Sequence, residues 1–263
     1  VGRFAKAAGD AEEIINKFNV VFGDNAVAVK EWADAYGDAI GRSTTSLMEF
    51  SSALQDTFVP MGFARGDAAE LSVQLTKLAL DVASFQNATD TDVLNAFQSA
   101  LVGNHETVRK YGIVITEASL QNEALSSGII DTNRQLTSQE KVQARLNLLF
   151  KGSKDAQGDL LNTQGSYVNQ VKRLQNELKD LSIEIGNNLM PAMRMVLSLT
   201  NQLTSVLDPS RIIAYGVAIG TVTASWKAYT FWQLTATAAT KKFKTALKRT
   251  GIGLAVVALG ELV

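Results

Sequence analysis

Apolar residues recur at every third or fourth position through most of the chain, which is the period of an amphipathic α-helix. Four such apolar stripes precede residue 90, and they fall within residues 4–18, 27–40, 47–58 and 68–85. Gly41 follows the second stripe and Pro60 follows the third, and these residue types commonly end helices. The pattern therefore predicts four consecutive helices.

Capping signals predict three further helices before residue 151. Thr89 and Thr116 each stand at the start of an apolar stripe, where a hydroxyl can accept a hydrogen bond from the first helical turn. Thr137 and Glu140 have the spacing of a capping box. The best strand signal is residues 113–115, which we interpret as an extended linker because no partner strand is near.

From Val171 onward the apolar spacing tightens into a long stripe, and its steps alternate three and four up to Ile185, as in a coiled coil. A stutter follows, at which Gly186 and Pro191 also lie, and it would locally unwind a supercoil. Two interpretations stay open: a parallel coiled coil with copies of the chain, or a helix packed on its own domain. We call this set the heptad stripe: Val171, Leu174, Leu178, Leu181, Ile185, Leu189, Met193, Val196, Leu199 and Leu203.

The end of the chain is apolar and basic. Residues 212–240 are long enough to span a bilayer but contain Lys227 and many Thr, Ser and Gly residues. Three alternatives stay open for this segment: a membrane-competent segment, a buried helical hairpin, or a helix that lines a multimer. If the segment meets a membrane, its interfacial residues are expected to be the aromatic and basic ones, namely Trp226, Lys227, Tyr229, Trp232, Lys241, Lys242, Lys244, Lys248 and Arg249.

The charge composition of the chain changes where the apolar end begins. The first 208 residues hold 18 basic and 25 acidic side chains, whereas residues 209–260 hold seven basic and no acidic ones. Such segregation usually marks two environments. We therefore predict an all-α fold in three parts: a multi-helix bundle module over residues 1–165, a long coiled-coil-type helix over 166–208, and apolar C-terminal helices over 209–263.

The residues that carry most catalytic chemistry are scarce. The chain has no cysteine and one histidine, His105, which we interpret as a capping or surface residue. The glycines of residues 62–66 lack the Lys-Ser/Thr of a phosphate-binding loop, and no motif for sequence-specific nucleic-acid binding occurs. We expect neither an enzyme nor a bound cofactor or metal.

The middle of the chain resembles one family. The similarity is carried by Asp56-Thr-Phe-Val-Pro-Met-Gly-Phe-Ala-Arg65, Leu78-Ala-Leu-Asp-Val-Ala-Ser-Phe85, Ala96-Phe-Gln-Ser-Ala-Leu-Val-Gly103, Arg109-Lys-Tyr-Gly-Ile113 and Gly186-Asn-Asn-Leu-Met-Pro191. In this order they are similar to the tape measure proteins of long-tailed phages and prophages. The likeness extends over roughly residues 45–195, with its core at 45–160, and is specific as a set although each piece alone is weak.

The resemblance implies a virion component that lies in the lumen of the phage tail after assembly in the host cytoplasm. Such a protein sets tail length, is expelled ahead of the genome and helps open a path through the host envelope. The implied partners are other copies of the chain, with a trimer favoured, the tail tube, the tail tip or baseplate proteins, and the host membrane during ejection. No catalytic residue is implied.

Two other functions fit the same pattern. A pore-forming toxin of the bacteriocin type also combines helical domains with an apolar hairpin. A generic helical interaction domain would use the apolar end as ordinary core. Because the sequence begins without Met and stops inside an apolar run, we expect it to be part of a longer protein.

Overall fold

The computed structural model describes residues 2–206, and within them the chain is all-α, with short 3₁₀ turns and no strand. The α-helices of these residues are α1 (Gly2–Phe22), α2 (Ala26–Ile40), α3 (Thr44–Phe58), α4 (Arg65–Phe85), α5 (Asp90–Leu101), α6 (Glu106–Arg109), α7 (Glu117–Ser126), α8 (Ser138–Gly152), α9 (Asp159–Asn162) and α10 (Tyr167–Val206). The all-α prediction is thereby confirmed for this part of the chain. The predicted apolar helices of residues 209–263 lie outside the described residues.

Two compact units share these helices. The larger unit comprises Glu12–Asn176, and the second comprises Val1–Ala11 together with Glu177–Val263. Helices α1 and α10 each contribute residues to both units. Within the second unit the structure describes residues 2–11 and 177–206.

The capping predictions are confirmed. The Thr89 hydroxyl accepts a hydrogen bond from the Asp92 backbone N–H at 3.2 Å, which opens α5. Thr116 opens α7 in the same way, through the Ser119 N–H at 3.1 Å. At α8, the Thr137 hydroxyl and the Glu140 carboxylate cap each other's backbone N–H groups, which completes the predicted capping box. The short helices α6 and α9 were not predicted, because four residues are too few to show a helical period.

Helix α4 contributes to both of the apolar clusters of the larger unit, as does α3. Leu75 and Leu78 belong to one cluster, together with residues of α3, α5, α7 and α8. Leu80 packs in the other cluster with residues of α1, α2 and α3. The 3,4 spacing that predicts α4 runs through Ala68, Leu71, Leu75, Leu78, Val82 and Phe85. Phe85 is nevertheless exposed, whereas Leu80, which is outside this spacing, is buried. A helix with neighbours on several sides buries more than one face, so a single apolar stripe does not predict all of its buried residues.

Polar side chains are also buried where α3 meets α4. The Gln55 side chain donates to the Arg65 carbonyl at 3.0 Å and accepts from the Ser72 hydroxyl at 3.3 Å. The Thr76 hydroxyl donates back to the Ser72 carbonyl at 2.7 Å. These bonds satisfy groups that would otherwise be costly to bury.

Candidate functional site

Helix α10 is the most prominent feature outside the core of the larger unit. It is 40 residues long and continues through Gly186 and Pro191, which corresponds to about 60 Å at ~1.5 Å per residue. Two Leu side chains of the heptad stripe are exposed, Leu174 at 39% and Leu178 at 51%. Ile185, further along the same stripe, is buried. The stripe is therefore open at one end and covered in its middle.

The other predicted stripe residues have the following surroundings. Val171, Leu181 and Met193 are half-buried, and Leu189 is buried. Val196, Leu199 and Leu203 belong to α10, but their side chains lie outside what the structure describes.

The cover over the middle of the stripe is the first part of α1. A Cβ built on Gly186 would collide with the backbone carbonyl of Phe4 and would lie 2.6 Å from the Ala8 Cβ. Ala8 itself is buried, as is Ala11 one turn further on. Two helices approach this closely only where small residues meet, so Gly186 and Ala8 determine the contact within the second unit.

The beginning of α10 is attached to the larger unit by polar side chains that the sequence did not single out. The Asp81 carboxylate of α4 accepts hydrogen bonds from the backbone N–H groups of Gly158 at 2.9 Å and Leu160 at 3.2 Å. It thereby holds the segment that leads from α8 to α10. We call the side chains of this attachment the polar clasp: Asp81, Ser84, Asp90, Thr163, Asn169 and Lys172.

Three members of the polar clasp bond directly to one another. The Ser84 hydroxyl lies 3.0 Å from the Thr163 hydroxyl and accepts from the Asn169 side-chain amide at 3.1 Å. The same amide group donates to the Thr163 carbonyl at 3.1 Å. Because Asn169 lies in the first turn of α10 and is buried, these bonds fix that turn against α4.

The charged part of the polar clasp is centred on Asp90. Its carboxylate accepts from the Arg42 Nε at 2.6 Å and from the Lys172 Nζ at 3.4 Å. Lys172, on α10, also donates to the Ala88 carbonyl at 2.7 Å. The Arg42 side chain is 2% exposed, so it relies on the Asp90 charge to offset its removal from water.

Burial raises the pKa of the Asp81 carboxyl above its ordinary value of 3.8, although its two backbone N–H donors favour the charged form and act in the opposite direction. Asp81 is flanked by the apolar residues of Leu78–Val82. A lone carboxylate inside such a run is the one sequence signal that marks the polar clasp.

The single histidine stands at the N-cap position of α6, but its side chain does not cap the helix. His105 is half-buried just before α6, its side chain makes no capping hydrogen bond, and its Nε2 accepts from the Arg145 Nε at 3.0 Å. Burial, and then the Arg145 charge, lower the pKa of His105 below its ordinary value. The interpretation of His105 as a capping or surface residue is confirmed for its position at the start of α6 but not for its side chain, which bonds to a residue 40 positions away.

The predicted membrane-interface residues, from Trp226 to Arg249, lie outside the described residues. None of the helices within residues 2–206 is both long and apolar enough to cross a bilayer.

Comparisons of this chain with protein-family models, with curated proteins and with solved structures found no match.

Proposed function

We propose that this chain is a segment of a phage tail tape measure protein, a structural component that fills the tail tube and sets tail length during assembly. It later assists DNA ejection through the host envelope. The observation that carries the proposal is α10, a 40-residue helix that begins in a folded module and leaves Leu174 and Leu178 exposed. The ordered set of motifs between residues 45 and 195 supports the same family.

A continuous helix suits a ruler for a simple reason. Each residue adds a constant rise of ~1.5 Å, so the length of the helix is proportional to the length of its coding sequence. The exposed part of the heptad stripe would pack α10 against the same helix of other copies. A trimer is the favoured oligomer. Tail tube and tail tip proteins would be the outer partners, and the basic apolar end would meet the host membrane during ejection.

The test is a series of in-frame deletions within residues 178–205 of the full protein, in the phage or prophage that encodes it. Removal of about one, two and four heptads should shorten the tail by about 10, 20 and 40 Å at ~1.5 Å per residue. Tail lengths would be measured by electron microscopy of purified particles.

The matched control replaces the deleted residues with an unrelated helix-forming sequence of equal length. This control should restore tail length, because the proposed function depends on the length of the helix and not on the identity of its side chains. Tails of normal length in the largest deletion would contradict the proposal.

A further inference from the structure

One stretch of this chain covers part of the surface through which we expect copies to associate. The first turns of α1 pack on α10 at Gly186, where the Phe4 carbonyl and the Ala8 methyl occupy the space that a side chain would need. Beside Gly186, the stripe residues Ile185 and Leu189 are only 7% and 8% exposed. An apolar stripe cannot pack against another helix where α1 already lies on it.

The same stripe is open on the other side of this contact. Leu178 lies one heptad before Ile185, Leu174 lies four residues before Leu178, and both are exposed. A coiled coil gains its stability from consecutive layers, so two exposed Leu residues alone make a short seam. Joining them to Ile185 and Leu189 would roughly double the number of layers, and this requires α1 to leave.

We propose that residues 4–11 of α1 are a detachable cover for the heptad stripe, and that a second copy of α10 takes their place when they lift. This inference rests on the proposed function, and it adds a way in which the self-association proposed there is limited. It keeps the isolated chain from associating along the full stripe, and the seam lengthens only when α1 is displaced.

The residues that flank the stripe indicate which occupant fits. In the heptad numbering that places Val171 and Leu178 at the same position, Glu177 and Glu184 both fall at the position called g. An antiparallel partner would place these acidic residues against each other, whereas a parallel one places them opposite the e position, where Gln175 and Ser182 lie. A second copy of α10 that takes the place of α1 is therefore expected to lie parallel to the first.

The experiment lifts the cover without touching the stripe. Gly186→Ala places a methyl group against the Phe4 backbone, and Ala8→Glu places a charge in the same contact. The matched control is Gly9→Ala, which makes the same change in α1 at a position with no neighbouring atom within 4 Å. Hydrogen exchange of residues 5–11 reports the cover, and sedimentation velocity of the full chain reports self-association.

We expect Gly186→Ala and Ala8→Glu to lower amide protection in residues 5–11 and to strengthen self-association at least ~10-fold, within the usual range for coupling between two sites. Gly9→Ala should behave as the unaltered chain. Adding Leu174→Ser and Leu178→Ser to Gly186→Ala should reverse the gain.

The other outcomes separate the two proposals. If protection is lost but association does not change, while the two Ser substitutions still weaken association, α1 is not a cover and only this inference fails. The same holds if neither Gly186→Ala nor Ala8→Glu lifts α1. If the lifted chain does not associate, or if the Ser substitutions have no effect on its association, the stripe does not join copies, and that part of the proposed function fails.

Discussion

Helices α4 and α10 have similar apolar spacing but opposite surroundings. In α4, the buried residues include apolar ones such as Leu75 and Leu80 and also the polar Thr76 and Asp81. In α10, Leu178 is exposed although it occupies a regular heptad position. The difference shows that apolar spacing predicts a helix and a preferred face, whereas the number of neighbouring helices decides how much of that face is covered.

The largest expected effect tests this contrast directly. Leu75→Ala in α4 removes a fully buried side chain and should lower the free energy of unfolding by about 2–5 kcal/mol, because a cavity remains in a packed core. Leu178→Ala, the matched change on α10, should cost less than about 1 kcal/mol in the unassociated chain, since an exposed side chain gains little from folding. Urea unfolding followed by circular dichroism measures both. Equal losses would show that α10 is packed as tightly as α4.

The second effect concerns the place where α10 is attached. Asp90→Asn leaves the Arg42 guanidinium, 2% exposed, without its charged partner, and should destabilise the larger unit by about 3 kcal/mol. Lys172→Met is the milder control, because it removes a side chain that is 20% exposed and keeps the ion pair between Arg42 and Asp90. Urea unfolding again gives the free energies. If Lys172→Met costs as much as Asp90→Asn, the attachment of α10 depends on Lys172 and not on the buried pair.

The third prediction concerns Asp81 and carries a pH dependence. Asp81→Asn keeps one oxygen acceptor but places an NH2 group against the other backbone N–H, so one hydrogen bond is lost. The free energy of unfolding should fall by about 1–3 kcal/mol, and hydrogen exchange in residues 158–169 should increase. The exposed Asp155→Asn is the control. A stable variant with unchanged exchange would show that the two N–H bonds do not hold the segment.

The raised pKa of Asp81 determines the direction of the pH effect. The folded state binds this proton more tightly than the unfolded chain does. Protonation therefore favours folding below pH 3.8, and that contribution is lost as pH rises through the raised pKa. The Asn variant should lose this part of the pH profile when unfolding is measured at several pH values.

The smallest effect is local to α8 and independent of both long helices. The Arg134 guanidinium and the Thr137 N–H lower the pKa of the Glu140 carboxyl to about 2. The stability it contributes is therefore present above pH 4.5 and lost as pH falls toward 2. Glu140→Gln keeps a capping oxygen and should remove only this pH dependence, as measured by thermal unfolding between pH 2 and 6. A profile like that of the unaltered chain would contradict the assignment.

Much of the local fold was predictable, because helix periods and caps are short-range. Thr89, Thr116 and Thr137 each open a helix as expected, and residues 113–115 form neither helix nor strand. The candidate site was predictable only as a uniform stripe. Its division into an exposed part at Leu178 and a covered part at Ile185 depends on α1, which is more than 160 residues away in sequence.

The sequence alone thus determined where α5, α7 and α8 begin, since the hydrogen bonds that cap them join residues only three positions apart. Tertiary structure decided what each helix buries. Asp81 is a lone carboxylate in an apolar run, and only folding brings the backbone N–H groups of Gly158 and Leu160 to it. In the sequence Gly186 lies at a stutter of the heptad pattern, whereas in the structure Phe4 and Ala8 occupy the space beside it. Such partners lie far along the chain, and only folding brings them together.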